Sequence, residues 1–325
     1  MAYPHPSYGD VASTTIENRL GEMADNVTKN NGLLSYLKKK NKIKLVRGGR
    51  SIVQELAYAE TGTYQRYYGY ETLDVDASQT FTAAEYDYKQ VAVSITASGL
   101  EAEVQNQGRE AIIDLVEARA ENAENTMMNG ISQDIYSDGT ASGGRQIGGL
   151  QLLVADTGLG TVGGIPSDQW SFWQNKHFSA TTDGGFPASA SNMADYMTRL
   201  WVQLQRGVDK PDFGVADNNY WRLFQSTLTA IARTESDKTV GELGFPSLKF
   251  MGADIILDGG QGGFCPTNHM YMLNSKYLYW RPAASRNMKR LGKREAVNQD
   301  AFVEIIAFAG NLTTSNRSLQ GVIIA

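Results

Sequence analysis

Between Ser98 and Ile135 the apolar side chains recur in steps of three and four. Ile112, Val116, Ala120, Ala123, Met127, Ile131 and Ile135 fall on one stripe, the pattern of an amphipathic helix. Ser98 and Glu101 supply a capping box at its start, so the spacing predicts a helix over 98–135. At ~1.5 Å per residue this is a rod of roughly 50 Å, far longer than an average globular helix. Its polar face is acidic: Glu101, Glu103, Glu110, Asp114, Glu117, Glu121 and Glu124 stand against Arg109 and Arg119. A rod of that length suits architecture better than catalysis.

The pattern upstream is different. Ile43 to Ala97 reads as extended, with Ile52, Val53 and Leu56 leading into a Glu60-Thr61-Gly62-Thr63 turn signal. A tyrosine-rich run follows (Tyr64, Tyr67, Tyr68, Tyr70), and Val91, Val93, Ile95 and Ala97 then alternate with polar residues. An outgoing strand, a polar middle and a return strand at 91–97 describe a protruding two-stranded loop. Exposed tyrosines are costly to leave bare, so the loop is expected to lie on a partner. Residues 1–37 are polar and turn-rich apart from a short helix expected over 13–29, and resemble an arm.

Downstream, a glycine-rich segment at 139–164 precedes Trp170, Phe172 and Trp173. Met193, Met197, Leu200, Trp201 and Leu204 predict a second amphipathic helix over 192–206. Beyond Pro211 a strand at 213–216 meets Asp217 and Asn218 as candidate N-caps, opening a helix through Tyr220, Leu223, Phe224, Leu228 and Ile231. Strands are expected at 247–257, 270–273, 276–280, 301–309 and 319–324. No internal repeat or low-complexity linker interrupts this order.

The chain has 325 residues, enough to bury a large core. Apolar residues at 42% and charged residues at 20% are a globular mixture. The net charge of −5 gives no overall bias toward nucleic acid, but the charge is clustered. Lys38, Lys39, Lys40, Lys42, Lys44, Arg47 and Arg50 run without an acidic residue among them. Arg281, Arg286, Lys289, Arg290, Lys293 and Arg294 form a second basic group. Neither is interleaved with aromatics like a base-stacking platform. Phosphate-backbone contacts or subunit–subunit ion pairs suit them better, with a solvated face as the plain alternative. The acidic face of the long helix is a natural counterpart for the second cluster in a neighbouring subunit. No apolar run approaches the ~20 residues of a membrane span and no signal peptide opens the chain, so an intracellular, soluble product is expected.

Candidate chemistry is sparse. Gly158, Gly160 and Gly163 satisfy GxGxxG, but Ile165-Pro166 interrupts the helix that a dinucleotide site needs at the third glycine. His5, His177 and His269 are far apart in the sequence. Cys265 is the one cysteine, which excludes an intrachain disulfide, and with His269 it makes no metal site. Asp254 and Asp258, four apart in a strand-like stretch, would share a face as solvated edge groups. No catalytic residue, cofactor or metal is expected.

The order of elements resembles that of tailed-phage major capsid proteins of the HK97-like fold. So do the stretches SIVQELAYAETGTYQRYYGYETLDV, DLVEARAENAENTMMNGISQDIYSDGT, IGGLQLLVAD, FGVADNNYWRLFQ, MGADIILDGG and MYMLNSKYLYW. The resemblance implies an α+β fold with an N-terminal arm (1–45) and a two-stranded E-loop (46–97). It implies a peripheral domain (98–211) containing the spine helix, an axial domain (212–295), and final strands (296–325) returning to the periphery. It further implies a structural, non-enzymatic shell protein that assembles as hexamers and pentamers around double-stranded DNA. Its partners would be a portal, a separate scaffolding protein and possible decoration proteins, with no membrane. Assembly would take place in the host cytoplasm and the product would be the virion capsid. Some relatives cross-link through an E-loop lysine. Lys89, the only lysine within 51–97, lies at the loop's base, so no cross-linking residues are carried over. An encapsulin-like compartment is the alternative, and a glycine-loop nucleotide-binding enzyme a distant third.

Overall fold

The computed structural model describes residues 31–99, 115–228, 247–259, 263–292, 294–295 and 300–325. The helix expected over 13–29 lies outside them, and so do residues 100–114 of the helix expected over 98–135. The described chain opens with a helix where an irregular arm was expected. In α1 (Gly32–Lys39) the Asn31 side chain accepts from the Leu34 amide at 2.8 Å, capping the first turn. Leu33, Tyr36 and Leu37 bury one face. The helix is barely two turns long, too short for its period to stand out of a polar stretch.

Strand β1 (Ile52–Ala57) pairs antiparallel with β2 (Phe81–Tyr86), in register from Ile52 opposite Tyr86 to Ala57 opposite Phe81. This is the two-stranded ribbon, but its return strand is not the one read from the alternation at 91–97. Those residues belong to β3 (Lys89–Ser98), which pairs along its whole length with the long strand β14 (Ala301–Thr314). Alternation shows that a strand is half-buried; it carries no information about which strand lies beside it.

Helix α2 (Leu115–Asp134) keeps the expected stripe. Ala120, Ala123, Met127, Ile131 and then Ile135 are buried, while Glu121 is exposed. It packs on β3, whose Ile95 and Ala97 point inward while Ala92, Ser94 and Thr96 are exposed. The chain then turns through Ile135 and Tyr136, where the Leu150 amide donates to the Ile135 carbonyl at 2.7 Å.

Two larger sheets organise the rest. The six-stranded sheet has the order β6 (Lys176–Ser179), β15 (Gly321–Ile324), β10 (Met270–Leu273), β7 (Phe213–Ala216), β9 (Ala253–Leu257), β8 (Ser247–Phe250). Helices α3 (Met193–Leu204) and α4 (Asn218–Thr227) cover one face: Met197, Leu200, Trp201, Tyr220 and Phe224 pack on Ala216, Ile255, Met270, Met272 and Ile323. Their neighbours Val215, Ile256, Tyr271, Leu273 and Val322 point the other way, into the core shared with α1 and α2. Burial on both faces explains the nearly unbroken apolar strands. The segment expected to be one strand over 247–257 is a hairpin, because Met251 and Gly252 turn the chain with φ of 47° and 90°.

The second sheet is built on β14, with β3 along one edge and β11 (Leu278–Pro282), β12 (Lys289–Arg290) and β13 (Arg294–Glu295) along the other. The sheets therefore do not divide where the sequence boundaries at 212 and 296 fall. Strands from 278–295 join β14, while the last strand, β15, enters the six-stranded sheet. No described helix is long and apolar enough to cross a membrane.

Candidate assembly surfaces

Among the described residues, exposed large apolar side chains gather on the ribbon. At its base Ile52, Leu56, Ala84 and Tyr86 are buried, and the Tyr86 hydroxyl donates to the Thr314 carbonyl at 3.0 Å. The ladder ends with the Tyr58 amide on the Thr80 carbonyl at 3.0 Å. Between them no strand forms, and Tyr64, Tyr67, Tyr68 and Tyr70 are 64–108% exposed, with Val75 at 86%. Single exposed apolar residues are ordinary; a contiguous run is the mark of a contact surface. Beside the base, Tyr58 meets Trp170 edge-on at 5.6 Å and Phe172 at 5.8 Å. With Phe81 and Pro166 they line an open groove of about 330 Å³.

The first basic cluster is not one patch. Lys38 and Lys39 end α1, where cations complement the helix C-terminus. The Lys40 ammonium lies 5.4 Å from the Tyr36 ring. The next residues run alongside β11, with the Lys44 amide on the Trp280 carbonyl and the Val46 amide on the Pro282 carbonyl, both at 2.9 Å. That course sets Lys42 and Lys44 over the Tyr279 ring at 5.2 and 5.0 Å. Arg47 and Arg50 are exposed beyond it.

In the second cluster the expected counterpart is present, but inside the same chain. Arg290 donates through Nε and an Nη to Glu124 Oε1 on α2, at 3.1 and 2.7 Å. Arg281 donates to Gln54 Oε1 at 2.6 Å and Thr313 Oγ1 at 3.2 Å, and Arg286 to Gln90 Oε1 at 2.9 Å. The Lys289 and Arg294 side chains are exposed, and Lys293 lies outside the described residues. The pairing of β12 and β13 with β14 sets this outcome by placing the cluster over the chain's own α2 and ribbon. Sequence separation hides that.

Sequence reasoning missed the charged groups that hold the interior. Arg317 is fully buried. Its guanidinium donates to the carbonyls of Leu153 at 2.7 Å, Leu159 at 3.2 Å, Trp173 at 3.3 Å and Gly160 at 3.4 Å, and to the Ser167 hydroxyl. Burial pushes its pKa down to about 10, against an opposing pull from Tyr86. The GxGxxG segment is thus a loop gathered around an arginine. Its Gly163-Gly164 pair, φ 59° and 77°, is the turn between β4 (Thr161–Val162) and β5 (Ile165–Pro166). No helix opens there.

Asp254 and Asp258 are both buried rather than solvated: Asp254 lies within β9, and Asp258 just past its end at Leu257. Tyr136 donates its hydroxyl to Asp258, and the Gly32 amide at the start of α1 also favours the carboxylate. Burial outweighs both and raises the Asp258 pKa to about 6. His269 Nε2 lies 3.2 Å from Asp156 Oδ2. Burial lowers the His269 pKa, but Asp156 and the Thr267 carbonyl outweigh it and the net shift is upward. Burial drives the Cys265 thiol well above its usual range, which makes it a poor nucleophile. Among the described residues no cluster of His, Cys, Asp and Glu could hold a metal ion.

Neither a protein-family model nor a curated protein matches the sequence. Solved structures do. The chain superposes on the capsid asymmetric unit of cyanophage A-1(L) with a TM-score of 0.68 at 15% identity, covering 95% of this chain and 96% of that one. The capsid of a native GTA particle gives 0.62 at 10% identity, covering 95% of each chain. The SrpI encapsulin of Synechococcus elongatus PCC 7942 gives 0.56 at 10% identity, covering 98% and 95%. Near-complete coverage in both directions leaves no large part of the chain outside the shared architecture. The chain has the α+β HK97-like capsid fold.

Proposed function

We propose that this protein is the major capsid protein of a tailed phage, assembling as hexamers and pentamers into an icosahedral head around double-stranded DNA. The observation that carries the reading is end-to-end superposition on phage capsid subunits. The mechanism is surface burial repeated around closed rings, so that individually modest contacts add cooperatively. In this assignment residues up to 45 are the arm and 46–97 the E-loop. The sheet built on β14 forms the peripheral domain with α2 as its spine, and the six-stranded sheet with α3 and α4 forms the axial domain, so that the sequence boundaries at 212 and 296 give way to the sheet boundaries. The chain acts through assembly rather than catalysis and resides in the virion shell after assembly in the host cytoplasm. A portal, a separate scaffolding protein, non-specifically bound DNA and decoration proteins are its proposed partners. The exposed Lys38–Arg50 cations face DNA or a neighbouring arm; among the described residues of the second cluster, the exposed Lys289 and Arg294 are the ones offered to a neighbour.

Electron microscopy of the overexpressed protein tests the class. Shells, tubes or capsomers are expected, and a monodisperse monomer under all assembly conditions would refute it. The encapsulin likeness supports a second reading, a compartment packaging a protein. Nuclease-protected DNA inside purified particles favours the phage head, and a co-purifying protein cargo without DNA favours the compartment. Neutralising Lys38, Lys40, Lys44, Arg47 and Arg50 together is expected to cut assembly or DNA retention severalfold. Full heads at wild-type yield from that variant would remove the cluster's role.

A further inference from the structure

Three cations converge on one aromatic ring. The extended stretch 42–46 runs parallel to β11, bridged at Ile43 opposite Trp280 and at Val46 opposite Ala283. Trp280 is buried, and Ile43 packs against the same core. Side chains alternate along an extended chain, so Lys42, Lys44, Tyr279 and Arg281 stand on the outer side of this pairing. The Lys42 and Lys44 ammonium groups lie 5.2 and 5.0 Å from the Tyr279 ring centre, and the Arg281 guanidinium carbon 5.3 Å from it. A ring has two faces, so at least two of the three cations share one. The ring itself is held in place, because its hydroxyl donates to the Lys276 carbonyl at 2.7 Å.

These charges are not balanced. Among the described residues none of the three makes an ion pair. The nearby Lys276 ammonium has its own carboxylate, Asp209, at 2.8 Å. Lys42 reaches the Lys276 carbonyl at 3.4 Å. Arg281 donates through Nε to Thr313 Oγ1 and through one Nη to Gln54 Oε1, both neutral, and its other Nη has no partner among the described residues. The three charges lie within ~10 Å of one another, about a Debye length at 0.1 M salt, so their repulsion survives in solution. Attraction to the ring eases that repulsion without cancelling the charge. An anion set among the three relieves it.

The donors narrow the choice of anion. Two rotatable ammonium groups and the free edge of a planar guanidinium suit the several oxygens of a phosphate group. With cations over it, the Tyr279 ring is not open to stack a base, so the site reads backbone charge rather than sequence. Lys38 and Lys39 stand apart at the end of α1, and Lys40 lies over Tyr36 instead.

We propose that Lys42, Lys44 and Arg281, gathered on Tyr279, form a binding site for the phosphates of a polynucleotide backbone, which in the shell reading is the packaged duplex. The inference rests on that reading and deepens it. It selects DNA over a neighbouring arm for these two lysines, and it joins one arginine of the second basic cluster to them. Affinity at such a site comes from released counterions and falls as salt rises.

The test is fluorescence anisotropy of a labelled short duplex with the full-length, unassembled chain, between about 50 and 200 mM salt. Each phosphate contact removed lowers the slope of log K against log salt by about 0.9. Lys42→Gln with Lys44→Gln is therefore expected to lower it by about 1.8 and to weaken binding about tenfold or more at the low-salt end. Arg145→Gln with Lys249→Gln makes the same charge change on exposed residues elsewhere and should leave the slope alone. Tyr279→Leu keeps all three cations but lets them part, so binding should weaken severalfold at an unchanged slope. Equal losses in the two double variants would overturn the site. Inorganic phosphate displacing the duplex at equal phosphate concentration would assign the site to free phosphate and overturn the polynucleotide. Polyglutamate doing so at equal charge would overturn phosphate in favour of a neighbouring subunit's carboxylates. In each of these cases particles seen by electron microscopy leave the shell reading standing. A wild-type chain that binds DNA through these lysines yet forms no particles would bring down the shell reading and leave the site.

Discussion

Arg317 offers the sharpest test of how this interior is held. It is fully buried, and every partner it has is neutral: four backbone carbonyls and one hydroxyl, drawn from Leu153 through Trp173. Burial lowers its pKa from 12.5 to about 10. At ~1.4 kcal/mol per unit the ionised form is disfavoured by about 3 kcal/mol, so the charge as such adds nothing to stability. The donors matter instead. Arg317→Met keeps most of the volume and strands the carbonyls of Leu153, Leu159 and Trp173. Each orphaned buried acceptor costs about 1–3 kcal/mol. After partial relaxation the expected loss is about 3–4 kcal/mol, a large part of the ~5–15 kcal/mol available to a fold. Arg317→Lys retains three donors on one point and should lose about 2 kcal/mol. Urea unfolding of the unassembled chain measures the totals, and hydrogen exchange of amides 155–173 provides the local readout. Buried ionic groups can sometimes be replaced by apolar ones at no loss. Methionine within 0.5 kcal/mol of wild type, with unchanged exchange, would place this arginine in that class and refute the carbonyl-cage argument.

The pH dependence of stability follows from Asp258, whose pKa in the fold, about 6, lies above its usual 3.8. Its contribution is fully present below the unfolded value and is lost as pH rises through about 6. The upward shift of His269 acts with the same sign. The melting temperature of the unassembled chain should therefore fall between about pH 4 and pH 6, and Asp258→Asn should flatten that fall; an unchanged slope would contradict the assignment. Gly163→Ala would bring a Cβ within 2.7 Å of the Ala84 Cβ at a φ of 59°. A loss of about 1–3 kcal/mol is expected from overpacking against the ribbon, and a calorimetric melt unchanged within error would show that the β4–β5 hairpin yields freely.

Much of the framework was legible in the sequence because it is encoded locally. The stripe Ala120, Ala123, Met127, Ile131 appears as the buried face of α2, and the α3 and β7 segments fall within a residue or two of their expected bounds. Asp217 was readable as an N-cap, and its side chain accepts from the Tyr220 amide at 2.9 Å. These signals lie within a few residues of one another, where helical or strand period and capping chemistry act. What crosses the chain was not legible. The partner of β3 is β14, more than 200 positions away, and alternation in β3 is equally compatible with β1. Arg317 sits in the polar turn Thr-Thr-Ser-Asn-Arg-Ser and reads as a surface residue, yet its acceptors come from residues 144 or more positions earlier. Asp258 reads as a strand-end carboxylate and is buried because α1 and Tyr136 close over it. Sequence alone determined where the chain is periodic, apolar and charged. The tertiary structure decided which edges pair, which charges enter the core and which cations gather on one ring, because burial and pairing are properties of neighbours brought together only by folding.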